Sequence, residues 1–416
     1  MHVTRLVLDH YRSWKHCLVD FEPGVNVLYG RNGLGKTNIV EAVEVLATGS
    51  SHRTSATVPL VERGEKTATI RMNVVDGIAS AAAGANQGPH SDTANTTMYA
   101  ATLPVRGGNK ARVNGGASMP LRAVVGQVRV VVFAPDDQLL VSMDPARRRG
   151  FLDSAGAQLT PGYYELSQEF AHIAKQRAKL LRQIGQERAL GHGIGPLLDG
   201  LEAWTASFID RGLRLTEERS RVCAALEKPF ASIYADLSGG GKASMMYAPG
   251  FAEAATVCTA PVARQDWQSA PQTDVPVLEA ISGHFQRIFD GEVAQSRNLI
   301  GPHRDDVEFL LDGAPAREYA SNGEMWTIAL ALKMALFTVL ESLPAHDGAP
   351  TGAPVLILDD VFSQLDAERR RQIVDFASRQ EQTLITVAAP GDVPEGMEAR
   401  MIDVHKIRED SHVAAW

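Results

Sequence analysis

Val3 to Leu8 (VTRLVL) alternates only weakly between apolar and polar side chains, a faint form of the period-two pattern of a strand. Gly24 to Tyr29 (GVNVLY) is a short β-favouring run ending at Gly30, and from Asn38 to Leu46 the apolar residues recur at helical spacing. The first fifty residues therefore predict strand, turn, strand, loop, helix. Residues 67 to 133 read as further short strands. Within them Asp76 to Met98 is small and polar and predicts a flexible surface insertion, while Lys110 to Gly115 ends in Asn-Gly, a hairpin signal.

From Pro145 to Ile233 the period becomes helical. Leu166, Phe170, Ile173, Arg177, Leu180 and Ile184 step by four and three, as do Leu201, Trp204 and Phe208, then Val222 and Leu226. This predicts long helices packed along a narrow seam as an antiparallel arm, broken by the turn-like run Gly191 to Pro196. Cys258 to Pro276 predicts a loose connection and Leu343 to Pro354 a mobile loop. Val355 to Leu358 is a continuous apolar run of the kind buried in a parallel sheet. In YASNGEMWTIALALKMA (residues 319 to 335), Ser321 stands three residues before Glu324 and directly ahead of an apolar helix, which by itself spells a capping box.

Composition adds limits. With 416 residues, 44% of them hydrophobic, the chain can build a sizeable core. No window approaches eighteen uninterrupted apolar residues and the opening MHVTRLVLDHYRSW is charged, so a cytoplasmic protein without a membrane span is expected. Three widely separated cysteines, Cys17, Cys223 and Cys258, argue against a disulfide framework or a zinc site. A net charge of −8 counts mildly against a protein that coats nucleic acid nonspecifically. Local basic tracks exist nonetheless, at Arg147-Arg148-Arg149 and at Lys175, Arg177, Lys179 and Arg182 within one predicted helix. On charge alone a solvated face is the better explanation of them.

The chemistry begins at Gly30-Arg31-Asn32-Gly33-Leu34-Gly35-Lys36-Thr37, which fits G-x-x-x-x-G-K-[ST] between a predicted strand and a predicted helix. The glycines let backbone N–H groups curl around a phosphate, Lys36 neutralises β/γ oxygens, and the Thr37 hydroxyl is a Mg²⁺ ligand. A nucleoside triphosphate, ATP first, is the expected ligand. A phosphate loop alone suits a kinase, a GTPase, a transporter subunit or a repair motor. The strand VLIL followed by two acids narrows this: Asp359 is placed to hold Mg²⁺ through water, and Asp360 to orient and deprotonate an attacking water.

Further segments stand in a family order. They are His10-Tyr11-Arg12-Ser13, the phosphate loop with Thr37-Asn38, Ser51-His52-Arg53-Thr54-Ser55, Phe133-Ala134-Pro135-Asp136-Asp137 and Arg147 to Asp153. Lys175-Gln176-Arg177, Gly301-Pro302-His303-Arg304-Asp305-Asp306, the Ser321 tetrad and Leu358 to Asp366 complete the set. With them the chain resembles ABC-type ATPases of the SMC/Rad50 group, and within that group the bacterial recombination mediators. The resemblance covers most of the chain. It implies an α/β fold, an ABC-type P-loop ATPase head with an antiparallel β subdomain and an inserted helical, short coiled-coil arm. The expected divisions are 1–145 (first part of the head), 146–290 (arm) and 291–416 (second part of the head).

The resemblance also implies roles. Gly30 to Asn38, Arg12, Asp359 and Asp366 would contact ATP, with Thr37 and Asp359 on Mg²⁺ and with Lys36, Asp360 and Ser321 catalytic. Ser321 and Gly323 would reach the γ-phosphate held by Lys36 of a second copy, so that ATP makes a homodimer. Ser363 to Asp366 would cross the dimer interface, and Pro135-Asp136-Asp137 stands where a metal-sensing loop is placed. Arg53, Lys175, Arg177, Lys179 and Arg182 become candidates for DNA phosphate contacts at single-strand gaps or junctions. The implied partners are DNA, the mediators RecR and RecO, and the recombinase RecA. For His303-Arg304 a hinge and a DNA contact both stay open.

Departures from the family pattern are Asn322 where Gln is usual, Met325-Trp326 where Gln-Arg is usual, and Gln364 where Glu is usual. The segment Leu384 to Ala389 has no switch histidine, and the presumed base is Asp360 rather than Glu. The shorter carboxylate implies slow hydrolysis, a weak DNA-dependent ATPase acting as a timer. The competing readings are an ABC transporter ATPase subunit, another SMC-like DNA-bridging ATPase, and a Rad50-like nuclease partner, for which the arm is too short.

Overall fold

The computed structural model describes residues 1–54, 56–76, 96–256, 275–343, 352–394 and 396–413. Ser55, residues 77–95 of the expected insertion, Cys258 with most of the expected connection, and 344–351 of the expected loop lie outside the described residues. The chain divides into two compact units, one of residues 1–138, 236–240 and 326–416, the other of residues 139–235 and 241–325.

Among the described residues the first unit holds two sheets. An antiparallel six-stranded sheet runs in the order β2 (Trp14–Asp20), β1 (His2–Tyr11), β4 (Thr67–Val75), β5 (Thr96–Pro104), β6 (Lys110–Val113), β7 (Met119–Pro120). Alternating residues of β4 are buried, while in β1 the period holds at Leu6 and Leu8 and is broken by a register shift between Val3 and Arg5. Asn114, at φ +50°, and Gly115 follow β6, where Asn-Gly signals a turn. A five-stranded parallel sheet runs β14 (Arg400–Asp403), β3 (Gly24–Tyr29), β13 (Gln382–Val387), β12 (Val355–Asp359), β8 (Val130–Phe133). Strands β8, β12 and β13 are buried along their whole length, which explains the unbroken apolar run from Val355 to Leu358. Helix α1 (Lys36–Thr48) contributes Ile39, Val40, Val43 and Leu46 to the core it shares with Leu6, Leu8 and Ile70 of the antiparallel sheet and Ile357 and Leu384 of the parallel one.

The second unit contains α2 (Pro145–Leu159), α3 (Tyr163–Ala189), α4 (Gly195–Ser238), α5 (Val275–Gln295) and the antiparallel sheet β11-β10-β9 (Ala314–Pro315, Asp306–Leu311, Ala243–Ala248). Helices α3 and α4 run antiparallel: Arg177 meets Thr205, and Phe170 meets Phe208. Leu181, rather than Leu180, is the fully buried seam residue, clustered with Ile184, Leu201 and Val293. Residues 291–325 belong to this unit, whereas the sequence assigns them to the head. Strand pairing of β10 with β9 accounts for that, together with Asp305, whose buried carboxylate accepts from Arg219, Tyr247 and the Gly250 N–H.

Of helix α6 (Asn322–Glu341), residues up to Met325 belong to the second unit and the rest to the first. Its length and composition would let it cross a membrane, but it is a mostly buried core helix, which is why the stretch is apolar on nearly every side. The remaining helices α7 (Ala367–Ala377) and α8 (Val404–Val413) complete the first unit.

Candidate nucleotide site

The phosphate loop leaves the end of β3 and enters α1 at Lys36. Gly33 and Gly35 take positive φ, +83° and +94°. At Gly35 there is no room for a side chain either: a Cβ would stand 2.6 Å from Trp14 Nε1 and 2.8 Å from Ser13 Oγ. Trp14 Nε1 donates to the Gly35 carbonyl at 3.1 Å, so the turn Arg12-Ser13 between β1 and β2 is pressed against the loop.

Lys36 folds back and donates to the carbonyls of Gly30 (2.6 Å) and Arg31 (3.2 Å). Burial lowers its pKa, opposed by Asp360, Asp359 and Asp392. The Thr37 hydroxyl donates to Asp359 Oδ1 at 2.8 Å, and Thr386 of β13 donates to the same oxygen at 2.7 Å. Burial works to raise the Asp359 pKa, but the nearby His52 ring and hydrogen bonds from Thr386 and Thr37 leave it lowered. Asp360 adopts φ +51°, a left-handed conformation uncommon outside glycine, and its N–H donates to Thr386. Burial, with Asp359 and Asp392, raises the Asp360 pKa against the pull of Lys36. A hydroxyl and a carboxylate within hydrogen-bond reach, beside a lysine at the mouth of a glycine loop, fit ATP and Mg²⁺. Thr37 and Asp359 would be the residues to hold such a metal.

Residues absent from the sequence expectation frame this core. Glu41, fully buried in α1, accepts from both ends of the Arg12 guanidinium (2.9 and 2.5 Å), from Ser51 (2.5 Å) and from Tyr11 (3.3 Å). Glu44 accepts from His52 Nδ1 at 2.7 Å and from the His52 backbone N–H. His52 Nε2 stands 3.6 Å from Asp359 Oδ2. Burial alone would lower the His52 pKa; the Glu44 and Asp359 carboxylates beside it instead push it up to about 10. Arg408 of α8 donates to the Leu34 and Ser13 carbonyls. The signal for the first two was present, since Glu41 and Glu44 are acids inside an otherwise apolar helical run.

Other expected residues are placed as follows. Arg12 sits beside the loop, held by Glu41, and Asn38 bridges Ser13 and Arg53. Arg53 thus packs on α1, its guanidinium 3.6 Å from Glu41, and is partly committed there. Asp366 caps α7, accepting from the Arg369 N–H at 2.9 Å and pairing with the Arg369 guanidinium. The Ser321 tetrad forms the capping box: the Ser321 N–H and hydroxyl donate to Glu324 (2.8 and 2.7 Å), and the Glu324 N–H returns to Ser321 Oγ at 3.3 Å. Ser321 and Gly323 lie in the second unit, the phosphate loop in the first.

In α3 the basic residues separate. Lys175, Lys179 and Arg182 fall at i, i+4 and i+7 on one face, apart from the buried seam. Arg177 is corrected as a DNA candidate: it is buried, bidentate to fully buried Glu292 (2.9 and 2.5 Å), bonded to Asn298, and stacked over Phe285 at 4.4 Å. Its guanidinium is not available to a phosphate. Arg148 is likewise buried and paired with Asp306, and Arg149 donates to the Asp305 carbonyl. His303 is part of this interior, its Nε2 against the Asn298 carbonyl at 3.0 Å.

The pattern of the RecF/RecN/SMC N-terminal domain matches residues 2–410. The DNA replication and repair protein RecF of Bifidobacterium longum subsp. infantis is 51% identical over 414 residues, 99% of this chain and 91% of that protein. The protein of the same name from Renibacterium salmoninarum is 35% identical, across 98% and 99% of the two chains. A solved structure of the recombination mediator protein RecF with ATPrS, of the RecFOR pathway, superimposes with a TM-score of 0.76 at 24% identity, over 97% of this chain and 96% of that one. That likeness speaks to the fold.

Proposed function

The chain belongs to the RecF family, and from this premise we propose that it is an ATP-dependent DNA-binding protein of recombinational repair and replication. It binds ATP with Mg²⁺ in the cytoplasm, dimerises on ATP at single-strand gaps or junctions, and assists loading of the recombinase RecA through RecR and RecO. The observation that carries the reading is the convergence of Lys36, Thr37, Asp359 and Asp360 at the ends of two strands of one parallel sheet. Relatives with high identity are named for DNA replication and repair, which supports the nucleic-acid side of it.

Bound Mg²⁺ supplies charge neutralisation at the β/γ oxygens. The chain's residues do the rest. The loop N–H groups and Lys36 hold phosphate, Thr37 and Asp359 hold the metal, and Asp360 orients the water and takes its proton. Ser321 and Gly323, at the N-terminus of α6, face the γ-phosphate held by a second copy, where free N–H groups attract anions. Lys175, Lys179 and Arg182 contact DNA phosphates without reading sequence. Asp366 and the segment before it cross the dimer interface. Hydrolysis by the short Asp360 side chain is slow and times dimer release.

The test uses Asp360→Asn, followed by its mass in solution with ATP and Mg²⁺, with and without gapped DNA. A dimer that forms only with ATP is expected. A variant that stays monomeric under both conditions overturns the reading.

A further inference from the structure

Asp359 is buried, and its two oxygens are treated differently. Oδ1 accepts from Thr37 at 2.8 Å and Thr386 at 2.7 Å, whereas Oδ2 faces His52 Nε2 at 3.6 Å. The χ2 torsion of an aspartate is broad and roughly two-fold, so contacts at one oxygen alone leave the carboxylate plane free to turn. His52 supplies the contact on the other side. It can do so because it is itself held: Nδ1 bonds Glu44 at 2.7 Å, and its backbone N–H bonds both Glu44 oxygens at 3.0 and 3.1 Å. The short turn that carries it is clamped to α1 at two more points, Ser51 to Glu41 and Arg53 to Asn38. Glu44, His52 and Asp359 thus form a chain of contacts from the helix that begins with Lys36 to the end of β12.

We propose that His52 is a positioning residue for Mg²⁺, fixing the orientation of the Asp359 carboxylate by holding Oδ2 from the Glu44 side. This rests on Asp359 being the metal-holding acid of the nucleotide site. Outer partners that orient a metal-holding carboxylate tune metal affinity rather than nucleotide recognition as such. The polar contacts of the His52 ring run to Glu44 and Asp359, while Lys36 bonds the loop carbonyls, so removing the imidazole should separate metal affinity from nucleotide affinity.

The experiment measures binding of a fluorescent ATP analogue to the full chain across a Mg²⁺ titration and in excess EDTA, for the unmodified protein, His52→Ala and His52→Gln. Gln is included because it keeps an N–H near the Nε2 position and tolerates packing if Ala does not. The expected result is a Mg²⁺ midpoint raised about tenfold or more in His52→Ala, less in His52→Gln, with affinity in EDTA unchanged. An unchanged midpoint in both variants overturns the proposal. So does an equal loss with and without Mg²⁺, which would mark His52 as a purely structural tether. If the unmodified protein fails to bind the analogue in Mg²⁺, the ATP reading itself falls and this inference with it.

Discussion

The Thr37 hydroxyl and Asp359 Oδ1 are 2.8 Å apart although 322 residues separate them in sequence. The parallel sheet order makes this contact: β13 lies between β3 and β12, so the loop after β3 and the acids after β12 flank the C-terminal end of one strand, and Thr386 of that strand joins them by donating to the same oxygen. A crevice at the carboxyl ends of parallel strands is where open α/β sheets bind ligands.

Gly35→Ala is expected to lower thermal stability and to weaken ATP binding, because the new Cβ adds a clash with Trp14 and Ser13 to an unfavourable positive φ. Its cost should be about 1–3 kcal/mol. Gly33→Ala has the same backbone constraint and open space around it, so it should cost less. Urea denaturation of the two variants checks the difference; equal midpoints would contradict it.

Arg177→Ala should destabilise the protein by about 3–5 kcal/mol, because it strands the fully buried Glu292 carboxylate. The triple variant Lys175→Ala/Lys179→Ala/Arg182→Ala should leave stability within about 0.5 kcal/mol of the unmodified protein. In DNA-binding titrations against salt, the triple variant should reduce the log–log slope by about 0.9 for each phosphate that the three side chains no longer neutralise. An unaltered slope would remove this face of α3 from the DNA site.

Ser321→Ala removes one half of the capping box and should cost about 1 kcal/mol of stability. Ser321→Arg should in addition block the ATP-dependent dimer while ATP still binds the monomer, as seen by sedimentation and by nucleotide titration. If Ser321→Arg dimerises with ATP as the unmodified chain does, the helix end serves only as a cap.

Glu217 on α4 is buried and neither of its carboxylate oxygens has a hydrogen-bond partner among the described residues. Burial, with Glu218 adding to it against Arg221 and Arg214, moves its pKa from 4.5 to about 7. Because the folded form holds the proton more tightly, its contribution is fully present below pH 4.5 and is lost as pH rises through about 7. Glu217→Gln should flatten the stability-versus-pH curve over that window and raise stability at about pH 8, above the folded pKa. Denaturation midpoints that fall equally in both proteins across the window would contradict this.

Local pattern alone carried much of this protein. The phosphate loop, the buried strand before Asp359, the helix cap at Ser321 and the long helices of the second unit all depend on neighbours within a few turns, and a single stretch of sequence contains those neighbours. Even the fate of Arg177 was written in its spacing, since it occupies the seam with Phe170, Ile173 and Ile184 while Lys175, Lys179 and Arg182 step along another face. The sequence could not pair it with Glu292, because that acid arrives from α5, 115 residues away. The same holds for Glu41 and Glu44. As letters they stand out as acids within an apolar helical run, but only the fold brings Arg12, Ser51 and His52 onto them and sets His52 against Asp359. Burying such charges is costly unless partners of opposite sign or hydrogen-bonding character meet them, so which charges are tolerated is settled by long-range packing, which no local pattern contains.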